Sequence, residues 1–140
     1  MNLPEKNKHL GRKIALISAL VIAVGSVLPF AGLKDMKIYG LEVDGKITLF
    51  LGTLIIISLL FKKIPKYISG VLASLTLVLA AFDYSKLSET TSSIKETASN
   101  PYMIDVAATI QMGSGLQLIM IGAVGVIAGF VIHMIQNKRA

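Results

Sequence analysis

A basic segment of five residues, Lys62 to Lys66, separates two of the four apolar runs in this chain. The runs cover residues 14–30, 47–61, 67–82 and 112–135. None of them contains Asp, Glu, Lys or Arg, and a helix that crosses a bilayer needs roughly 17–25 mainly apolar residues. Backbone in hydrocarbon must satisfy its own hydrogen bonds, and the runs lack strand-like alternation, so each run is predicted to be a helix.

The chain is therefore predicted to be an all-α integral membrane protein. A single domain over residues 1–140 would hold four transmembrane helices in an up-down bundle, with a longer, partly helical outer loop between helices three and four. The hydrophobic fraction of 54% and the mean hydropathy of +0.71 agree with this class. The second and third runs are short for a span, and we expect Lys46 and Lys66 to extend along them to the interface.

The placement of Lys and Arg predicts the orientation, because cytoplasmic loops carry an excess of both residues. The basic segments are the start of the chain, the second connection and the end of the chain, with Lys6, Lys8, Arg12, Lys13, Lys62, Lys63, Lys66, Lys138 and Arg139. The first and third connections mix charges of both signs. We therefore expect a multi-pass protein of the cell membrane with both termini in the cytoplasm. A cleaved signal peptide is the alternative interpretation of the first run, although no A-x-A site follows it.

The residues offer little for catalysis or metal binding. The chain has no cysteine and two histidines, His9 and His133, both near predicted inner ends. Every acidic residue except Glu5 is predicted on the outer side, so a Ser-His-acid group or a metal site is not expected. The histidines are predicted to be solvated at the interface. No catalytic residue, cofactor or metal ligand is predicted, and the scattered basic residues do not form a nucleic-acid surface despite a pI near 9.7.

The two outer connections have different patterns. In the first, Ile38, Leu41 and Val43 before the Asp44-Gly45 turn signal predict a short extended segment, with an ordinary polar connector as the alternative. In the third, apolar residues at helical spacing predict that the third helix continues outward and that a second amphipathic piece follows Pro101, with a flexible loop as the alternative. The candidate partner-binding residues of this connection are Tyr84, Leu87, Ile94, Tyr102 and Met103.

Small residues recur along the fourth run. Gly115, Gly122 and Gly129 repeat every seven residues, and Gly125 lies four residues before Gly129. Small residues on one helix face let another backbone approach closely, so this stripe predicts helix packing. In the first run the candidate counterparts are Ala19, Ala23 and Ser26, or Ser18 and Gly25. An amide in lipid seeks a hydrogen-bond partner, so Gln117 is predicted to join two helices.

Three segments resemble the small bacterial four-helix membrane proteins with a claudin-like layout. These are Pro29-Phe30 at the end of the first run, residues 40–45 leading into Ile47-Thr48-Leu49, and residues 112–116 at the start of the fourth run. The first loop lacks the tryptophan and cysteine that claudins carry there. The resemblance therefore implies a layout and no barrier function.

Two function classes follow from these observations. The first is a non-enzymatic membrane component, such as a subunit, an assembly factor or an immunity-type protein, which acts through helix packing and outer-loop contacts. The second is a small oligomeric pore of the holin type. In either case the expected partners are the lipid bilayer and either a membrane protein or further copies of this chain. A membrane enzyme or a transporter is a weaker interpretation, because no ionisable group lies at membrane depth.

Overall fold

The computed structural model describes residues 9–33, 36–40, 45–97, 100–102, 105 and 111–138. Within these residues lie four long helices and three short strands. The helices are α1 (Leu10–Val27), α2 (Gly45–Leu60), α3 (Tyr67–Thr97) and α4 (Ser114–Lys138), and the strands are β1 (Pro29–Leu33), β2 (Met36–Tyr39) and β3 (Gln111–Met112). The prediction of four helices is confirmed. The all-α prediction omits the small sheet.

Three of the helices are long and apolar enough to cross a membrane. They are α1, the segment Tyr67–Thr90 of α3, and α4, with mean hydropathies of 1.8, 1.6 and 2.5. Helix α2 is also apolar but has only 16 residues, which corresponds to about 24 Å at 1.5 Å per residue.

Each helix packs against two others. Helix α1 contacts α2 and α4, and α3 contacts the same two helices from the other side. Neighbouring helices run antiparallel: Ser26 of α1 lies beside Thr48 at the start of α2, whereas Arg12 at the start of α1 reaches Leu59 at the end of α2. The four helices thus form an up-down bundle.

The centre of the bundle is filled by small and branched apolar residues. Ile22, Ile55 and Ile119 are fully buried, together with Ala19 and Ala123. Many large apolar side chains instead point outward, and Phe50, Val71, Val78 and Ile121 are each more than 60% exposed. Contiguous apolar surface of this extent is rare on soluble proteins and suits a lipid surrounding.

The small sheet closes one end of the bundle. Its strand order is β2-β1-β3, with both pairs antiparallel, so it joins the α1–α2 connection to the residues just before α4. Two backbone bonds strengthen the join, from the Gly40 N–H to the Leu28 carbonyl and from the Gly113 N–H to the Phe30 carbonyl. β1 and β2 thus form a hairpin in the first connection, which begins at Pro29. Of the residues on which the predicted extended segment rests, Ile38 lies in β2, and Leu41 and Val43 lie outside the described residues.

The predicted ends of the first and fourth runs need correction. Helix α1 ends at Val27 rather than at Phe30, because a residue before proline avoids the helical region and Leu28 is extended, with ψ of 165°. Phe30 then becomes a strand residue of the core, 6% exposed. In the fourth run, Met112 belongs to β3 and the helix begins at Ser114.

The third connection begins as helix. Helix α3 runs without interruption to Thr97, as the apolar spacing predicts. Most of the second amphipathic piece predicted after Pro101 falls on residues 103–104 and 106–110, which lie outside the described residues.

Candidate functional site

A cavity of about 420 Å³ lies at the end of the bundle opposite the sheet. Its walls come from the start of α1, the end of α2, the α2–α3 connection, the start of α3 and the last turns of α4. We call it the basic cavity. Its polar lining comprises His9, Arg12, Ser58, Lys62, Lys66, Ser69, His133, Gln136 and Asn137. Apolar side chains, among them Ala15, Leu59 and Phe130, complete the wall.

The charge of the basic cavity is of one sign. Arg12, Lys62 and Lys66 line it, and no Asp or Glu is among the lining residues in the described part of the chain. Lys62 and Lys66 are exposed and Arg12 is half-buried. Positive charge in a concave, partly apolar site attracts anions, because the low-dielectric walls screen it less than water does.

Arg12 is held in place by the end of α2. Its Nε donates to the Leu59 carbonyl at 3.0 Å, and one of its terminal nitrogens donates to the Leu60 carbonyl at 3.3 Å. The last carbonyls of a helix have no partner within that helix and carry partial negative charge, so a guanidinium there is favourable. Arg12 thus caps α2 and keeps its remaining N–H groups beside the basic cavity.

Lys66 and His133 join the α2–α3 connection to α4. The Lys66 Nζ lies 2.7 Å from the His133 Nε2, and the Asn137 Nδ2 lies 3.4 Å from the same atom. An ammonium group and an amide nitrogen can only donate, so Nε2 must be the acceptor. The single ring proton of a neutral imidazole is then assigned to Nδ1.

The two histidines have different surroundings. His9 is exposed, in agreement with the prediction of a solvated interfacial side chain. For His133 that prediction is wrong, because this side chain is only 9% exposed and is bonded to Lys66. The cause is the close approach of α1 and α4: a Cβ on Gly11 would lie 2.7 Å from the His133 backbone nitrogen.

Two hydroxyl groups also line the basic cavity. Ser58 donates to the Ile55 carbonyl at 2.8 Å, and Ser69 donates to the Lys66 carbonyl at 2.7 Å. Such bonds to a carbonyl three residues earlier satisfy a hydroxyl in an apolar setting. In this arrangement the positive character of the cavity comes from Arg12, Lys62 and Lys66.

The predicted glycine stripe lies against α1. A Cβ at Gly115 would meet the Gly25 carbonyl at 2.6 Å, one at Gly122 would meet the Ser18 carbonyl at 2.8 Å, and one at Gly129 would meet the Gly11 carbonyl at 2.7 Å. Gly125 faces the Ser18 side chain. The α1 face is thus Gly11, Ser18 and Gly25, which matches the second of the two candidate counterparts. Because α1 covers this stripe, a pore would need a different lining surface.

Gln117 does not occupy the place that the sequence suggests. It lies on the exposed face near the start of α4. Within the described part of the chain, its side-chain amide forms no hydrogen bond to another helix. Because this amide is exposed, it can find polar partners outside the helix bundle and needs no second helix.

The basic residues used to predict topology converge on one end. Lys62, Lys63 and Lys66 form the α2–α3 connection, and Lys138 ends α4 on the same side. Arg139 lies outside the described residues. Of the candidate partner-binding residues, Tyr84 and Tyr102 are exposed and Leu87 is half-buried. The Ile94 side chain and Met103 lie outside the described part of the structure, so these five residues do not form one described surface.

The sequence-based prediction missed the basic cavity and the role of Gly11. A usable signal existed: the predicted topology places Arg12, Lys66 and His133 at the same end of four adjacent helices. No group of three or more His, Cys, Asp or Glu residues that could hold a metal ion occurs among the described residues.

Comparisons with known proteins give no family. No family model, no curated protein and no solved structure matches this chain. Any functional conclusion therefore depends on the geometry of the site itself.

Proposed function

We propose that this chain is a non-enzymatic membrane protein that binds an anionic ligand in the basic cavity. The observation that supports this proposal most is the convergence of Arg12, Lys62 and Lys66 on one cavity whose described lining residues include no carboxylate. Like charges held together near apolar walls destabilise a protein unless an anion balances them. A bound anion would provide that balance.

The same proposal places the four helices across the cell membrane, with the basic cavity at the cytoplasmic surface. The support is the segregation of charge: Lys62, Lys63, Lys66 and Lys138 lie at one end of the bundle, and cytoplasmic ends are enriched in such residues. Helix α2 is included as a span because Lys46 precedes its apolar stretch and Lys62 follows it. Long basic side chains at both ends let a helix of about 24 Å match a hydrocarbon core of about 30 Å.

The anion site is tested by thermal unfolding of the full chain in a neutral detergent. Adding anionic phospholipid should raise the unfolding temperature more than adding the same amount of phosphatidylcholine, since a ligand that binds the folded state stabilises it. Lys66→Gln should remove most of this difference. Lys63→Gln is the matched control, because Lys63 is an exposed neighbour that does not line the cavity. Equal losses in both variants would contradict a defined site.

The length of α3 favours a second candidate function, which is contact with a protein partner. Its 31 residues correspond to about 46 Å of helix, more than the roughly 30 Å of a hydrocarbon core. Exposed polar residues such as Ser88, Glu89 and Glu96 occupy the part after Phe82. We propose that this outer part of α3 contacts a membrane protein or another copy of the chain. Deleting residues 88–99 should then reduce the mass of the intact assembly isolated from native membranes while leaving anion binding unchanged.

A further inference from the structure

We infer that the ligand of the basic cavity is a phosphate monoester group, held by Lys66, Arg12 and the buried Nδ1–H of His133. This inference rests on the proposed anion site and narrows its ligand to one chemical class.

The first support is an unused donor inside the protein. His133 is only 9% exposed, and its Nδ1 has no hydrogen-bond partner among the described residues. Because Nε2 accepts from the Lys66 ammonium at 2.7 Å, the ring proton resides on Nδ1. A buried donor without an acceptor is unfavourable. His133 also lines the basic cavity, so a ligand oxygen there would supply the missing acceptor.

The second support is the number of donors and charges around the cavity. Arg12 uses two N–H groups on the α2 carbonyls, and a guanidinium has five, so three remain. Lys62 and Lys66 add two ammonium groups. A carboxylate offers two oxygens and a single charge, whereas a phosphate monoester offers three terminal oxygens and a charge of roughly −1.5 to −2. The phosphate monoester therefore matches this set of donors better.

The third support concerns what carries the phosphate. The cavity volume of about 420 Å³ exceeds what a phosphate alone requires, and Ala15, Leu59 and Phe130 give part of the wall apolar character. A phosphate monoester on a lipid headgroup and one on a soluble metabolite share the recognised chemistry. The experiment must therefore separate these two sources.

The test uses the full chain in nanodiscs of phosphatidylcholine, with unfolding temperature as the readout. One set contains phosphatidic acid, whose headgroup is a phosphate monoester. A second contains the same fraction of phosphatidylglycerol, an anionic phosphodiester. A third contains neither lipid but has inorganic phosphate or glycerol phosphate in solution. The expected result is stronger stabilisation by phosphatidic acid than by phosphatidylglycerol.

Two variants of His133 separate its two ring nitrogens. In His133→Gln the amide occupies the region of Nε2 and the Nδ1 donor is lost. The apparent affinity for phosphatidic acid, and with it the preference for this lipid, should therefore fall by about tenfold. In His133→Asn the amide occupies the region of Nδ1, so most of that preference should remain. Lys63→Gln should behave as the unchanged chain does.

The outcomes are distinct. Stabilisation by phosphatidic acid alone supports a lipid ligand, and stabilisation by the soluble phosphates supports a soluble phosphate monoester. Equal, Lys66-dependent stabilisation by phosphatidic acid and phosphatidylglycerol would overturn the assignment of the ligand as a phosphate monoester. The proposed anion site would still stand. If no anion stabilises the protein in a Lys66-dependent manner, both the inference and the proposed function are wrong.

Discussion

The Lys66 ammonium nitrogen lies 2.7 Å from the Nε2 atom of His133. This contact joins the short connection between α2 and α3 to the last part of α4. It also determines the hydrogen-bonding state of the histidine, because a lysine can only donate. The side chain that orients His133 is thus one of the three cations of the basic cavity.

His133 should be a neutral imidazole with its proton on Nδ1. Nitrogen-15 NMR of histidine-labelled protein in detergent distinguishes the two tautomers by their ring nitrogen shifts. The His133 signals should show an unprotonated Nε2 that accepts a hydrogen bond. In Lys66→Met the Nε2 acceptor loses its main donor, and the His133 signals should shift toward tautomer exchange. A protonated Nε2 in the unchanged chain would contradict this arrangement.

The glycine stripe of α4 should be intolerant of larger side chains. In Gly129→Leu the new Cβ would lie 2.7 Å from the Ala15 nitrogen and from the Gly11 carbonyl, so a backbone would have to move. Overpacking of this kind destabilises by about 1–3 kcal/mol or more. Thermal unfolding in detergent measures the loss for Gly129→Leu and Gly122→Leu.

A matched control exists on the same helix. Ala128 precedes Gly129 and is exposed on the outer surface, so Ala128→Leu should leave the unfolding temperature nearly unchanged. Equal stability of Ala128→Leu and Gly129→Leu would show that α1 and α4 do not approach each other as described.

Arg12 should stabilise the end of α2. Replacing it in Arg12→Gln removes the bonds to the Leu59 and Leu60 carbonyls, and hydrogen bonds of a charged donor at a half-exposed site contribute about 1 kcal/mol. Hydrogen exchange should become faster for the backbone amides of residues 58–61. Lys13→Gln changes an exposed neighbour of the same charge and should leave these amides protected. Unchanged hydrogen exchange of these amides in Arg12→Gln would show that Arg12 does not cap α2.

The helices were predictable because long apolar runs without charge have few stable alternatives in a membrane. The seven-residue spacing of Gly115, Gly122 and Gly129 also predicts a close contact, since small residues at this spacing lie on one helix face. The end of α1 was harder to predict from the sequence, although Pro29 is a local signal against helix at Leu28. The sheet depends on pairing between β1 and β3, in which 78 residues separate the partners Gly32 and Gln111. No local pattern specifies a pair so far apart in the sequence.

The basic cavity was beyond a residue-by-residue analysis. Arg12, Lys66 and His133 have ordinary local explanations, as topology signals or as interfacial side chains. Their joint role appears only when α1, the α2–α3 connection and α4 are placed side by side. The close packing of Gly11 on the α4 backbone brings Arg12 and His133 to the same end of the bundle, and this packing depends on three-dimensional fit.

We propose that the end of the bundle with the basic cavity faces the cytoplasm and that four helices cross the membrane. The most direct measurement is labelling of single-cysteine variants with an impermeant thiol reagent in intact cells. The chain has no cysteine of its own, so each signal reports one position. We expect labelling of Ile38→Cys and Thr90→Cys from outside, and labelling of Ile64→Cys only after the cells are permeabilised. Labelling of Ile64→Cys from outside, with Thr90→Cys protected, would contradict this orientation.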